Sequence, residues 1–140
     1  MTVPSDAISD DPATLGMIAH PEGGWYRETW RHPQNVSTPR GERALATSVA
    51  FLLRPGEEST WHRVASDELW LWQGGGPVLL SLGGSAGVPG PGTSVLLGPG
   101  GQHVVPANVW QSAKPGEDRA TLVACVVSPG FDFADFTLAE

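Results

Sequence analysis

Every apolar run in this chain is short and is stopped by glycine, proline or aspartate, and that punctuation limits the fold more than any other feature. The 18 glycines and 13 prolines are spread between the runs instead of gathering in one linker. Eight stretches, "GGWYRETWRH", "ALATSVAFLL", "STWHRV", "DELWLWQG", "PVLLSLGG", "TSVLLG", "HVVPANVWQSAK" and "ATLVACVV", are rich in β-branched or aromatic residues and bounded by turn formers. Short strands at this spacing predict an antiparallel sandwich or barrel.

One segment reads differently. In Asp10–Ala19, "DDPATLGMIA", Asp11 is a suitable N-cap, Pro12 suits the first helical position, and Leu15 and Ile18 share a face, so a short helix is expected there. The division expected is an N-terminal segment over 1–19 and a single barrel domain over 20–140. "GGSAGVPGPGTS", Gly83 to Ser94, reads as a hairpin loop. The tail "FDFADFTLAE" is expected to fold its phenylalanines back onto the barrel.

Charge narrows the function. With 8 Lys+Arg against 15 Asp+Glu the net charge is -7, which argues against nucleic acid and anionic membranes as partners, because both need a basic face. A small-molecule ligand remains. The one cysteine, Cys125, lies in an apolar run and reads as a small buried hydrophobe. The N-terminal stretch lacks the pattern of a signal peptide and no run has transmembrane length, so a cytoplasmic location is expected.

Strand alternation places the candidate chemistry. In "ELWLW", Glu68, Trp70 and Trp72 share one face. On the preceding strand His62 and Val64 share a face, and the turn "ASD" can bring His62 back toward Glu68. A histidine and a carboxylate inside an aromatic pocket suit proton transfer, since burial and pairing move proton affinities toward neutral pH. Tyr26 and Arg27 are adjacent on a strand, so at most one of them enters the pocket: Tyr26 as a hydrogen-bond or proton donor, or Arg27 as a carboxylate clamp. Ser48 is a further polar lining candidate. Trp61, Trp110 and Arg63 should point the other way, Asp67 should cap a turn, and the glycine pair of "HPEGGWY" should form a bulge.

Gly56, His62, Val64, Glu68 and Gly74 follow the order and spacing of the first cupin motif, and Gly100, Pro106 and Gln111 follow the second. More narrowly, "HPEGGWYRETWR", "RALATSVAFLLRPGEESTWHRVASDELW", "VVPANVWQSA" and "SPGFDFADFTL" resemble a small single-domain cupin subfamily known as a domain of unknown function. The resemblance implies an all-β, antiparallel jelly-roll barrel, a homodimer, and a pocket at the barrel mouth. It also implies a metal site, from which this chain departs twice: Val64 and Gln111 stand where two ligand histidines would be.

Three readings follow. The favoured one is a metal-free enzyme, an isomerase, epimerase, lyase or cyclase on a small polar or polyketide-like metabolite, with His62, Glu68 and Tyr26 catalytic and Gln111, Trp70, Trp72, Arg27 and Ser48 contacting substrate. The second is a non-catalytic module for a sugar-like ligand. The third is a metal-dependent oxygenase in which His62, Glu68 and Gln111 would hold Zn, Fe, Mn or Ni.

Overall fold

The computed structural model of the protein describes residues 7–140. Its strands are β1 (Ile18–Ala19), β2 (Trp25–Arg31), β3 (Asn35–Thr38), β4 (Gly41–Ala44), β5 (Thr47–Leu53), β6 (Ser59–Val64), β7 (Asp67–Gly75), β8 (Val78–Leu82), β9 (Thr93–Leu97), β10 (Gln102–Val105), β11 (Gln111–Pro115), β12 (Thr121–Ser128) and β13 (Phe136–Leu138). A six-stranded sheet runs β1-β2-β5-β12-β7-β10, a five-stranded sheet runs β13-β6-β11-β8-β9, and β3 pairs with β4 alone. The paired strands are antiparallel, and the two large sheets form the expected jelly roll.

Alternation builds the core between the sheets. Along β12, Val123, Cys125 and Val127 are buried while Leu122, Ala124 and Val126 are only half-buried, and Phe51 and Leu53 of β5 meet them from the next strand. Trp70, Val78, Leu80 and Val105 complete this cluster. A smaller cluster on the outer face of the six-stranded sheet joins Met17, Leu52 and Ala120, with Leu15 and Trp25 packed against it.

The expected helix over Asp10–Ala19 is absent; among the described residues there is no α-helix, only a turn at Pro12–Gly16 and a 3₁₀ turn at Phe133–Asp135. Asp11 does cap, accepting from Ala13 N at 3.1 Å and Thr14 Oγ1 at 2.8 Å. Gly16 then adopts φ 68°, the left-handed conformation that ends helices, and the Met17 amide closes on the Pro12 carbonyl after a single turn. Met17 is buried and the chain passes into β1, so Leu15 packs inward while Ile18 stands exposed. Residues 1–6 of the expected N-terminal segment lie outside the described residues.

The run "HVVPANVWQSAK" divides into two strands on different sheets. Pro106 offers no amide to a ladder, and Asn108 at φ 67° turns the chain and donates its amide to the Val64 carbonyl. The tail folds back as expected: β13 pairs with β6, and Asp135 is gripped by Arg43 at 2.8 Å and Arg40 at 3.0 Å. Hydrogen bonds from Arg43, with the nearby charge of both arginines, hold the Asp135 carboxyl below its usual range.

Candidate functional site

The Ala65–Ser66 link carries the chain from the five-stranded to the six-stranded sheet. His62 and Glu68 therefore do not meet along a hairpin; they come from opposite sheets of the barrel. On β6, Ser59 and His62 are three residues apart and would face opposite ways in a regular strand. A register shift against β11 turns both inward, where they are 0% and 2% exposed.

The group that joins them was not anticipated from the sequence. Glu22, in the turn between β1 and β2, accepts a hydrogen bond from Ser59 Oγ, and its Oε2 lies 3.4 Å from His62 Nε2. Its Oε1 lies 3.3 Å from His20 Nδ1. The glycines that follow form this tight turn rather than a bulge. Gly23 has φ 105°, and a Cβ there would stand 2.1 Å from the Glu58 carbonyl, so only glycine lets the turn press Glu22 against β6. The bulge in β2 falls instead between Glu28 and Trp30.

Hydrogen-bond polarity assigns the protons. His62 Nδ1 lies 2.7 Å from the Thr60 carbonyl, an acceptor only, so Nδ1 carries hydrogen and neutral His62 presents a bare Nε2 to Glu22. The Glu22 amide donates to His20 Nδ1 at 3.1 Å, so that nitrogen is bare as well. The Glu22 carboxyl thus lies between two unprotonated imidazole nitrogens, of which His62 Nε2 keeps its lone pair free while His20 Nδ1 already accepts from the Glu22 amide. Burial pushes its pKa up to about 8, with the Ser59 hydrogen bond opposing. Burial pushes His20 down to about 4, and burial lowers His62 too, against the pull of Glu68.

Glu68 has the opposite surroundings. Its Oε1 accepts from Gln111 Nε2 at 2.9 Å, and the Cys125 thiol also bonds to it. Burial and the charge of Glu22 raise its pKa; these donors and His62 oppose. Burial, followed by the two carboxyls, pushes the Cys125 thiol well up, so Cys125 acts as a buried donor and not as a nucleophile.

A cavity with about 40 Å³ of room for the centres of water-sized molecules opens onto these groups. His20, Glu22, Glu68 and Cys125 reach it, and Tyr26, Phe51, Trp70 and Phe131 are its aromatic walls. His62 stands behind Glu22, with Phe136 stacked on its ring at 5.5 Å.

The other sequence candidates separate. Tyr26 enters the cavity, its ring edge-on to His20 at 4.7 Å. Arg27 takes the opposite face and donates to the Leu15 carbonyl at 3.1 Å, so it is no carboxylate clamp. Ser48 also faces away, since Thr47 and Val49 on either side line the cavity. Trp72 lies outside the lining and donates to the Gly76 carbonyl at 2.9 Å. Gln111 is engaged at both ends, accepting from Trp70 Nε1 at 2.9 Å and donating to Glu68, so it positions those two residues and does not orient a substrate. Asp67 reaches the Ala107 amide at 2.9 Å, and Arg63 lies 4.6 Å over the Trp110 ring. Glu22 and His20 had one local signal, their spacing of two before a Gly-Gly turn.

A profile of the Cupin_5 family, described as Cupin superfamily (DUF985), matches residues 13–139. The chain belongs to this family. A hypothetical protein from Leishmania major shares 32% identity, with a TM-score of 0.78 over 89% of this chain and 82% of that one. A protein of known crystal structure from Shewanella oneidensis shares 34% identity, with a TM-score of 0.80 over 91% of this chain and 81% of that one. At 12% identity, oxalate decarboxylase from Lactobacillus farciminis has a TM-score of 0.63 over 87% of this chain and 32% of its own, a likeness of fold alone. No curated protein matches.

Many cupins hold a metal, and the donors here do not fit one. Val64 lines the cavity without a donor, and the Gln111 oxygen is taken by the Trp70 N–H. Among the described residues no three His, Cys, Asp or Glu side chains converge to hold an ion. Replacing Val64 and Gln111 together by histidine restores the imidazole positions of the cupin motifs. The double variant is expected to take up Zn or Ni more tightly than the parent by at least about tenfold. Equal uptake by a folded double variant, measured by metal titration, would show that the two positions do not share one inner wall.

Among the described residues no helix is long and apolar enough to cross a membrane.

Proposed function

We propose that this cupin is an enzyme that moves a proton on a small carbonyl-bearing metabolite, in the manner of an isomerase or epimerase, with Glu22 as the group that exchanges the proton. One observation supports this above the others: Glu22 faces the cavity between two bare imidazole nitrogens, with a pKa raised to about 8. At neutral pH it rests as a carboxylic acid beside neutral histidines. Passing that proton to His62 Nε2 leaves a carboxylate that can take hydrogen from carbon next to a carbonyl. The C–H electron pair moves into the enolate, and return of a proton to the same or a neighbouring atom completes epimerisation or isomerisation. His62 acts through Glu22, and Ser59 holds the carboxyl in place. Tyr26 stands on the wall as a hydrogen-bond donor to the substrate oxygen.

Two measurements test this. Infrared spectra of protein carrying ¹³C-labelled glutamate are expected to show, at pH 7, a protonated-carboxyl band that is missing from Glu22→Gln and that fades as pH rises past about 8. In deuterated water, the protein is expected to wash deuterium into at least one member of a panel of small enolisable ketones, lactones and aminoketones. A Glu22 already ionised at pH 7, or no exchange above the rate seen with Glu22→Gln, would sink the proposal.

A further inference from the structure

The two cavity carboxyls are built for different jobs, and the difference bears on what the cavity accepts. Glu22 is flanked by acceptors and keeps a proton, whereas Glu68 receives hydrogen from Gln111 and Cys125, donors that favour its ionised form against the burial that raises its proton affinity. To ionise in this buried place Glu68 needs a cation beside it. No Arg or Lys is among the described residues lining the cavity. The basic side chains are committed elsewhere: Arg40 and Arg43 to Asp135, Arg54 to Glu57, and Arg63 over Trp110. At the mouth, Arg31 is paired with Glu28 at 2.7 Å, and Asp132 adds a further negative charge. Tyr26, Trp70 and Phe131 line the cavity together with Glu68, and the face of an aromatic ring attracts a cation.

We infer that the ligand of this cavity carries a positive charge, an ammonium group that neutralises Glu68 and lies against the aromatic walls. This names the substrate class of the proton-transfer site and rests on that reading of it. A small aminoketone is of this class: its ammonium would meet Glu68 while its carbonyl and the adjacent carbon reach Glu22. A carboxylate or phosphate ester would face two carboxyl groups and neutral histidines with nothing to offset its charge.

The test uses three molecules of nearly equal size, isobutylamine, isobutanol and isobutyrate, titrated into the full chain at pH 7 and followed by chemical shifts of cavity residues. The amine is expected to bind at least about tenfold more tightly than the alcohol, and isobutyrate not to bind. Glu68→Gln should reduce the ratio of amine to alcohol affinity to near one, while Glu22→Gln should keep it. Equal binding of amine and alcohol, preferred binding of isobutyrate, no shift with any probe, or a preference that survives Glu68→Gln would each overturn the inference. If Glu68→Gln does not fold, the wild-type ranking decides alone. Because these are binding measurements with unreactive molecules, a failure here is separate from a failure of proton exchange at Glu22.

Discussion

Replacing Glu22 by glutamine is expected to slow deuterium wash-in by about two to four orders of magnitude while leaving ligand affinity nearly unchanged, the usual effect of removing a general acid or base. The change is almost isosteric. Glutamine with its oxygen in the Oε2 position can still accept from Ser59 Oγ, so the hydrogen bond that positions the side chain persists. What disappears is a hydrogen that can leave. His62→Phe should give a smaller loss of rate and should move the pH profile, because His62 touches Glu22 and is not itself in the cavity lining. A Glu22→Gln enzyme that exchanges at the parent rate would place the proton transfer elsewhere, with Glu68 the first alternative.

The same substitution is expected to stabilise the fold at alkaline pH, with an effect reaching about 4–5 kcal/mol if the whole shift of Glu22 is expressed. In the folded protein Glu22 holds its proton to about pH 8, against an ordinary value of 4.5. Between those values the unfolded chain releases a proton that the folded chain keeps, so the stability of the parent falls as pH rises from 4.5 toward 8 and then levels. Glutamine does not titrate and escapes this loss. His20 has the opposite sign: its folded value of about 4 lies below the ordinary 6.5, so stability falls as pH drops from 6.5 toward 4 in parent and variant alike. Thermal unfolding across pH 4–9 should therefore show the two proteins close together at the acid end and Glu22→Gln melting progressively higher above pH 5. Parallel curves would show that Glu22 is not held protonated by the fold.

Where alternation or turn chemistry alone decided a feature, the sequence was sufficient. The eight apolar runs became strands, with one divided at Pro106 and Asn108, where proline and a left-handed asparagine break the ladder. Glu68 and Trp70 point inward as their spacing requires, and Tyr26 and Arg27 go to opposite faces. The loop of Gly83 to Ser94 joins β8 to β9 as a hairpin, and the phenylalanine-rich tail returns to the barrel. The strands β1, β3, β4 and β13 were not legible, because each is two to four residues long with no apolar run of its own and exists only through its partner. The helix expected at Asp10–Ala19 failed for a related reason. Its cap was real, but Gly16 ended it and burial of Met17 with Leu52 outweighed the weak helical preference of so short a segment.

The family, the barrel and the first-motif carboxylate were thus determined by local order: residue type, period and spacing carry that information along the chain. The candidate site was decided by the tertiary structure. Glu22 meets Ser59 and His62 across 37 and 40 residues of sequence, and a bulge in β6 sets Ser59 and His62 on the same side. Nothing in a strand's period records a bulge, and a proton affinity raised by burial exists only once the surrounding chain has excluded water, so both belong to the folded protein and not to any stretch of it.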